Sequence, residues 1–220
     1  EASSPKFSLA YTPDSNWSLR YSLARAWRFP IVEELYSRYQ AFNALNLADP
    51  SLAPERGLHQ NLAFDWRVPG RELSLSLFHE RVQDVIEAQS QTLPGGLSLR
   101  TFLPVDEVET QGVEVSVTLN DVLLAGLNLR FNTTWTDARI RRNRVDPMLE
   151  GKLWPRMPRW RANLLLDYQL SDTLTAGIGW RHASKSFGRL YNRDTASHVY
   201  GAQDAWHFVN LKLDWQATPG

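Results

Sequence analysis

The chain is predicted to be all-β, a segment of an antiparallel up-and-down transmembrane β-barrel with about nine strands in its 220 residues. Three observations carry this. First, its connections alternate in length. Short links fall at Pro13–Ser15, Pro69–Arg71, Asn120–Ala125 and Ser171–Asp172; long ones fall at Arg28–Pro54, Glu87–Pro104, Arg141–Pro158 and Ser186–Ala205. A barrel in a bacterial outer membrane has tight turns at one rim and long loops at the other, whereas a soluble sandwich has no such requirement. Second, the stretches between these links alternate apolar and polar residues. Third, aromatic residues cluster toward the ends of those stretches.

Strands are expected near 6–12, 16–27, 56–68, 72–86, 105–119, 126–140, 159–170, 173–185 and 206–216. Successive side chains of a strand point to opposite faces. In the third strand Leu58, Leu62, Phe64, Trp66 and Val68 share a face, with His59, Asn61, Asp65 and Arg67 opposite. The sixth sets Leu127, Leu129, Phe131 and Trp135 against Asn128, Arg130 and Asn132. The seventh sets Trp160, Ala162, Leu164, Leu166 and Tyr168 against Arg161, Asn163 and Asp167. Ile178 and Trp180 of the eighth, and Leu211, Leu213 and Trp215 of the ninth, continue the apolar face.

An amphipathic sheet on a soluble core would alternate in the same way. Strand length separates the two cases: soluble strands average about five or six residues, and a tilted membrane strand needs about 9–11. Most of these run to about a dozen. The aromatics agree. Trp17, Trp66, Tyr168 and Trp215 fall toward one rim and Trp135, Trp160 and Trp180 toward the other, as two membrane girdles require.

Composition narrows the function. Lys plus Arg and Asp plus Glu are each 24, so no basic surface argues for nucleic acid. Cysteine is absent, which excludes disulfides, thiol nucleophiles and thiolate metal sites. No apolar run reaches the 18 residues of a transmembrane helix. The mean hydropathy of −0.39 is compatible with a barrel, where only every second residue meets lipid. Glu1-Ala2-Ser3-Ser4-Pro5 lacks the basic start and apolar middle of a signal peptide.

Two stretches, Trp27-Arg28-Phe29-Pro30-Ile31-Val32-Glu33-Glu34-Leu35-Tyr36 and Leu47-Ala48-Asp49-Pro50-Ser51-Leu52-Ala53-Pro54-Glu55-Arg56, together resemble the "FRxPTxxELY … NPxLxPE" segment of TonB-dependent outer-membrane receptors. Val108-Glu109-Thr110-Gln111-Gly112-Val113-Glu114-Val115 resembles that family's "xxxxGxE" strand start. Pro155-Arg156-Met157-Pro158-Arg159-Trp160-Arg161-Ala162-Asn163-Leu164 resembles its "P-x-H-x-x-N-L". The resemblance implies roughly the C-terminal half of a 22-stranded barrel, so residues 1–220 are expected to be one partial barrel domain, cut at both ends. Pro219-Gly220 reads as the next periplasmic turn. It further implies a receptor that takes up a scarce nutrient, most often a ferric siderophore, by TonB-coupled active transport. The implied partners are the lipid bilayer and lipopolysaccharide, the receptor's own plug domain, the TonB complex through it, and a small-molecule nutrient ligand. The alternatives are a passive porin-type or structural barrel and, in a third class, a barrel enzyme.

Candidate ligand contacts lie on the external loops: Tyr36, Arg38, Tyr39 and Asn46 on the first, and Arg141, Arg142 and Arg144 on the third. The stretch 139–161 holds eight Lys/Arg against Asp146 and Glu150, which suits either steering of an anionic chelate or contact with lipopolysaccharide phosphates. Arg20, Arg67, Glu80, Glu114, Arg130, Arg161, Arg181 and Lys212 are expected to face the lumen, with cross-strand pairs such as Arg130 with Glu114. The five His are scattered without metal-ligand spacing, so no metal or cofactor is expected. Catalytic motifs are absent: Ser186, His182 and Asp194 have no G-x-S-x-G elbow around them, and no phosphate loop occurs. The enzyme alternative is left with His182 beside Trp180 on the lipid-facing wall.

Overall fold

The computed structural model describes residues 2–217, and only the backbone of Ser90 and Gln91. Along the chain run β1 (Lys6–Tyr11), β2 (Trp17–Arg28), the short helix α1 (Val32–Tyr36), β3 (Arg38–Ala41), β4 (Ala44–Leu47) and β5 (Glu55–Val68). They are followed by β6 (Arg71–Thr92), β7 (Ser98–Leu119), β8 (Leu127–Arg142), β9 (Trp160–Ser171), β10 (Leu174–Ala183) and β11 (Trp206–Trp215). The sheet order β1-β2-β5-β6-β7-β8-β9-β10-β11 is a sequential meander, antiparallel at every step. The all-β antiparallel expectation is therefore met. The expected turn at Pro219-Gly220 lies outside the described residues.

Two features depart from the sequence expectation. The first long loop contains the hairpin β3–β4, so the described residues hold eleven strands. The connection expected to be a loop over 87–104 is instead mostly strand. β6 and β7 are each 22 residues long and stay paired from Arg71↔Leu119 to Thr92↔Ser98. Their tip is closed by Leu93 N–H donating to the Leu97 carbonyl at 2.8 Å, around Pro94-Gly95-Gly96. At about 3.3 Å per residue such a strand runs roughly 70 Å, far beyond a 30 Å hydrocarbon layer. The outer parts of β6 and β7 thus extend well past the length that a membrane-spanning strand needs.

Register carries one apolar face across the wall. Trp17↔Trp66 and Leu19↔Phe64 lead into Phe64↔Leu75, Leu75↔Val115, Val117↔Phe131, Phe131↔Leu164, Leu164↔Trp180 and Trp180↔Val209. Many of these side chains are solvent-exposed, among them Leu62, Leu77, Ile178, Leu211 and Leu213. Such a continuous apolar face needs a non-aqueous partner. The residues expected to form the girdles share this face, with Trp135 opposite Trp160, Tyr168 opposite Leu127 and Trp215 opposite Leu174.

The short turns are built by local chemistry. Asp14 Oδ1 accepts the N–H groups of Asn16 (2.7 Å) and Trp17 (3.2 Å), which closes the first turn. Pro69-Gly70, with Gly70 at φ +73°, has the residues a type II turn demands, and Arg67 spans it to Glu72 at 2.9 Å.

Buried apolar side chains lie at the long-loop end. One cluster joins Val105, Val108 and Ile140 to Leu149 and Leu190 from two different loops. The other joins Leu52 of the first long loop to Ile86 and Phe102. The loops are therefore packed bodies.

Candidate functional site at the loop end

The first long loop is tied at both ends to one guanidinium. Arg28 Nη1 donates to Glu34 Oε1 at 3.0 Å, and Arg28 Nη2 to Glu55 Oε1 at 2.5 Å. The buried Glu34 carboxylate also accepts the Ile31 N–H (2.9 Å), and Glu55 accepts the Ile86 N–H (2.8 Å). Loop halves meet where Asp49 N–H donates to the Glu34 carbonyl at 3.0 Å. The two motif halves noted in the sequence thus form one clasp, and Leu52 anchors it in the cluster with Phe102.

This clasp sets the hairpin β3–β4 against β7. β4 pairs parallel with β7, from Ala44↔Ser98 to Leu47↔Thr101. An edge is open there because β8 ends at Arg142, opposite Glu107. Between hairpin and strand lies a cavity of about 520 Å³ lined by Glu33, Ser37, Tyr39, Ala44, Leu45, Asn46, Ser98 and Arg100. That volume is within the range of small-molecule sites, roughly 300–1,000 Å³. Tyr39 and Asn46 are directly opposite each other in the hairpin. Asn46 Oδ1 is buried without a hydrogen-bond partner in the protein. Arg100 brings a cation, stacked 5.6 Å from the Phe102 ring centre, and Glu33 an anion.

Of the residues singled out in the sequence, Tyr39 and Asn46 meet in this cavity. Tyr36 is exposed on α1, and Arg38 faces Leu47 in the hairpin. Arg141 lies on β8 in a 2.8 Å ion pair with Glu109, Arg142 sits opposite Glu107, and Arg144 pairs with the buried Asp106 at 2.6 Å. Arg100 falls in the stretch 87–104 that the sequence reading leaves as a loop between strands 72–86 and 105–119, although Pro94-Gly95-Gly96 marks a tight hairpin turn there. Glu33, on α1 in the first long loop, carries no local signal of its own. The residues expected to line the lumen share the polar face by register, through Arg20↔Ala63, Ser76↔Glu114, Thr134↔Arg161 and Gly177↔Lys212. Arg67↔Glu72 continues that face, Glu80 opposes His59, and Arg181 opposes Asn163. The suggested Arg130–Glu114 pair does not form. Glu114 faces Thr134, and Arg130 reaches Asp167 at 3.7 Å.

Two further loops are knitted beside this site. Asn192 accepts the Leu153 N–H (2.8 Å) and donates to the Leu153 carbonyl (3.0 Å), while the Tyr191 hydroxyl donates to Asp146. That bond pushes the Tyr191 pKa up. Asp204 accepts the His198 N–H at 2.7 Å, which holds its carboxyl below the usual value of 3.8. A depressed carboxyl stabilises the fold above its unfolded pKa and loses that contribution as pH falls through its folded pKa. The turn at 198–204 is expected to hold at and above about pH 4 and to open below it. Amide exchange at His198 as a function of pH reads this directly.

Among the described residues no group of three or more His, Cys, Asp or Glu converges as a metal site. His182 Nδ1 lies 3.0 Å from the Trp206 carbonyl and its ring stacks on His207 at 4.3 Å.

A sequential antiparallel wall, an unbroken apolar face and packed loops at one rim fit a membrane barrel. The family profile described as "TonB dependent receptor-like, beta-barrel" matches residues 1–220. The chain belongs to this family.

TonB-dependent receptors are proteins of the Gram-negative outer membrane, and the family consists of receptors and transporters, not enzymes. No curated protein sequence matches the chain. Among solved structures it resembles a mutant ferric enterobactin receptor of Pseudomonas aeruginosa at 16% identity and TM-score 0.72, covering 98% of this chain and 32% of that one. It also resembles the siderophore receptor PirA from Acinetobacter baumannii (15% identity, TM-score 0.68, 98% and 35% covered). A copper transporter, OprC, aligns at 17% identity and TM-score 0.70, over 94% of this chain and 30% of the other. The chain thus spans about a third of the length of these structures, and at such identity they share its fold.

Proposed function

We propose that this chain is part of the barrel of an outer-membrane receptor that takes up a scarce nutrient, a ferric siderophore or similar chelate, by TonB-coupled active transport. The observation that carries the ligand-binding half is the cavity between β3–β4 and β7, where the buried Asn46 oxygen lacks a partner and Arg100 supplies positive charge. Buried acceptors are almost always satisfied, so an orphan lining a cavity suits a ligand donor. Family membership supports the transport half. In this reading residues 1–220 are one part of a larger barrel, and its partners are a plug domain, the TonB complex, the lipid bilayer and lipopolysaccharide.

The test is uptake of iron-loaded chelates by iron-starved cells with and without the gene that carries this chain. Uptake should depend on the gene and stop on adding a protonophore. Uptake that survives the protonophore, together with steady conductance in planar bilayers, would favour the passive porin reading.

A further inference from the structure

Beyond Trp135, the outer face of the wall changes from aliphatic to ionic. Register keeps Arg81, Glu109, Asp137 and Arg139 on the same face as Leu75, Val115 and Phe131, and Arg141, the unpaired residue of a bulge in β8, joins them through Glu109. Asp137 is two residues past Trp135 and Arg139 four, or about 7 and 13 Å along the strand. With the strands tilted about 40°, the axial distances fall to roughly 5 and 10 Å. A headgroup layer is about 5–8 Å deep on each side of the hydrocarbon. Asp137 stands in that layer, Arg139 just past its outer edge, and Arg141, six residues past Trp135 and so roughly 15 Å out, beyond it.

Their arrangement is layered. Glu109 accepts from Arg141 at 2.8 Å and from Arg81 at 3.2 Å. Asp137 holds Arg139 at 2.8 Å and Arg159 at 3.1 Å, and the Arg159 guanidinium lies 5.7 Å from the Trp135 ring centre. A third carboxylate, Glu107, lies 3.5 Å from Arg81. Glu109, Asp137 and Glu107 are only 13%, 10% and 17% exposed, whereas the four guanidiniums are 31–48% exposed. The outward surface is therefore cationic, over an anionic layer that orients it. Ion pairs whose cations are this exposed to solvent contribute little to stability, so stability alone does not account for five of them in one patch. Whole-chain charge does not account for it either, since Lys plus Arg equal Asp plus Glu. Guanidinium forks fixed from behind keep N–H groups free to meet phosphate oxygens.

We propose that Arg81, Arg139, Arg141 and Arg159 form a binding surface for the phosphate groups of outer-leaflet glycolipid, pre-oriented by Glu109 and Asp137. This rests on the reading that the wall spans the outer membrane. Direct contact is favoured over a bridging divalent cation, because the exposed face is already positive.

The test uses the native receptor in mild detergent, stripped of lipid and titrated with bis-phosphorylated lipid A and with its dephosphorylated form. Bound glycolipid is counted by native mass spectrometry. Unaltered protein should retain the phosphorylated form. The R81Q/R141Q double variant should bind it roughly tenfold more weakly, a loss of about one charge-assisted contact or more. R81K/R141K, which keeps the charge, should fall between them. E109Q separates the proposal from simple attraction: it makes the patch more positive, yet should weaken binding because Arg81 and Arg141 lose their support. Unchanged binding by R81Q/R141Q, tighter binding by E109Q, or equal binding of the dephosphorylated lipid would each overturn the proposal. Heat-modifiable mobility on gels reports barrel folding of every variant. Should the unaltered protein fail to fractionate with the outer membrane, the membrane reading itself falls; failure of the proposal alone leaves that fractionation intact.

Discussion

Gly112→Ala is expected to destabilise the barrel by about 3 kcal/mol, at the upper end of overpacking costs. Gly112 lies in β7 directly between Phe78 of β6 and Thr136 of β8. A Cβ there would run into the Trp135 carbonyl oxygen and into Cζ of Phe78, with Phe78 Cε1 at 2.9 Å. The Phe78 ring covers the bare glycine backbone, an arrangement that stabilises sheets. The ring can swing away, but the Trp135 carbonyl belongs to the β8 backbone and cannot. F78A/G112A should therefore recover only part of the loss. Urea unfolding of the refolded barrel, followed by tryptophan fluorescence, measures both variants. Full recovery by F78A would show that the carbonyl contact is relieved more easily than the register suggests.

Loss of Arg100 is expected to weaken capture of an anionic chelate at least tenfold, since a hydrogen bond to a charged group contributes about 1.5–3 kcal/mol. Arg100 is the cation of the cavity, and its stacking on Phe102 limits the directions it can take. Asn46→Leu supplies the contrast. Its buried oxygen has no partner in the protein, and such a group costs about 1–3 kcal/mol. The leucine variant should leave folding unharmed or slightly improved while ligand affinity falls. A residue with a structural role would move both in the same direction. Equilibrium binding and urea midpoints on the same samples decide between them.

The wall could be read from the sequence because its signals are local. Period-two alternation over a dozen residues, Pro69-Gly70 and Asp14 at turns, and Trp160 at a strand start each need only their neighbours in the chain. The loop end could not, because its structure depends on distant partners. Nothing near Ser98 announces that it will pair with Ala44, and Arg100 gains a role only through that pairing. Motif residues show the same limit from the other side. Arg28, Glu34 and Glu55 were visible as a resemblance, yet their physical task, closing a loop on one guanidinium, appears only when the three charges meet.

The early end of β8 has a consequence for how such a protein can change its ligand. β4 occupies an edge of β7 that exists only because β8 stops at Arg142. A few residues added to β8 would compete for that same edge and displace the hairpin, erasing the cavity without altering any residue that lines it. A few removed would widen the berth and admit a longer hairpin. If the cavity holds the ligand as proposed, the ligand range would shift through small insertions and deletions in a neighbouring strand, a route that a comparison of cavity-lining residues alone would never detect.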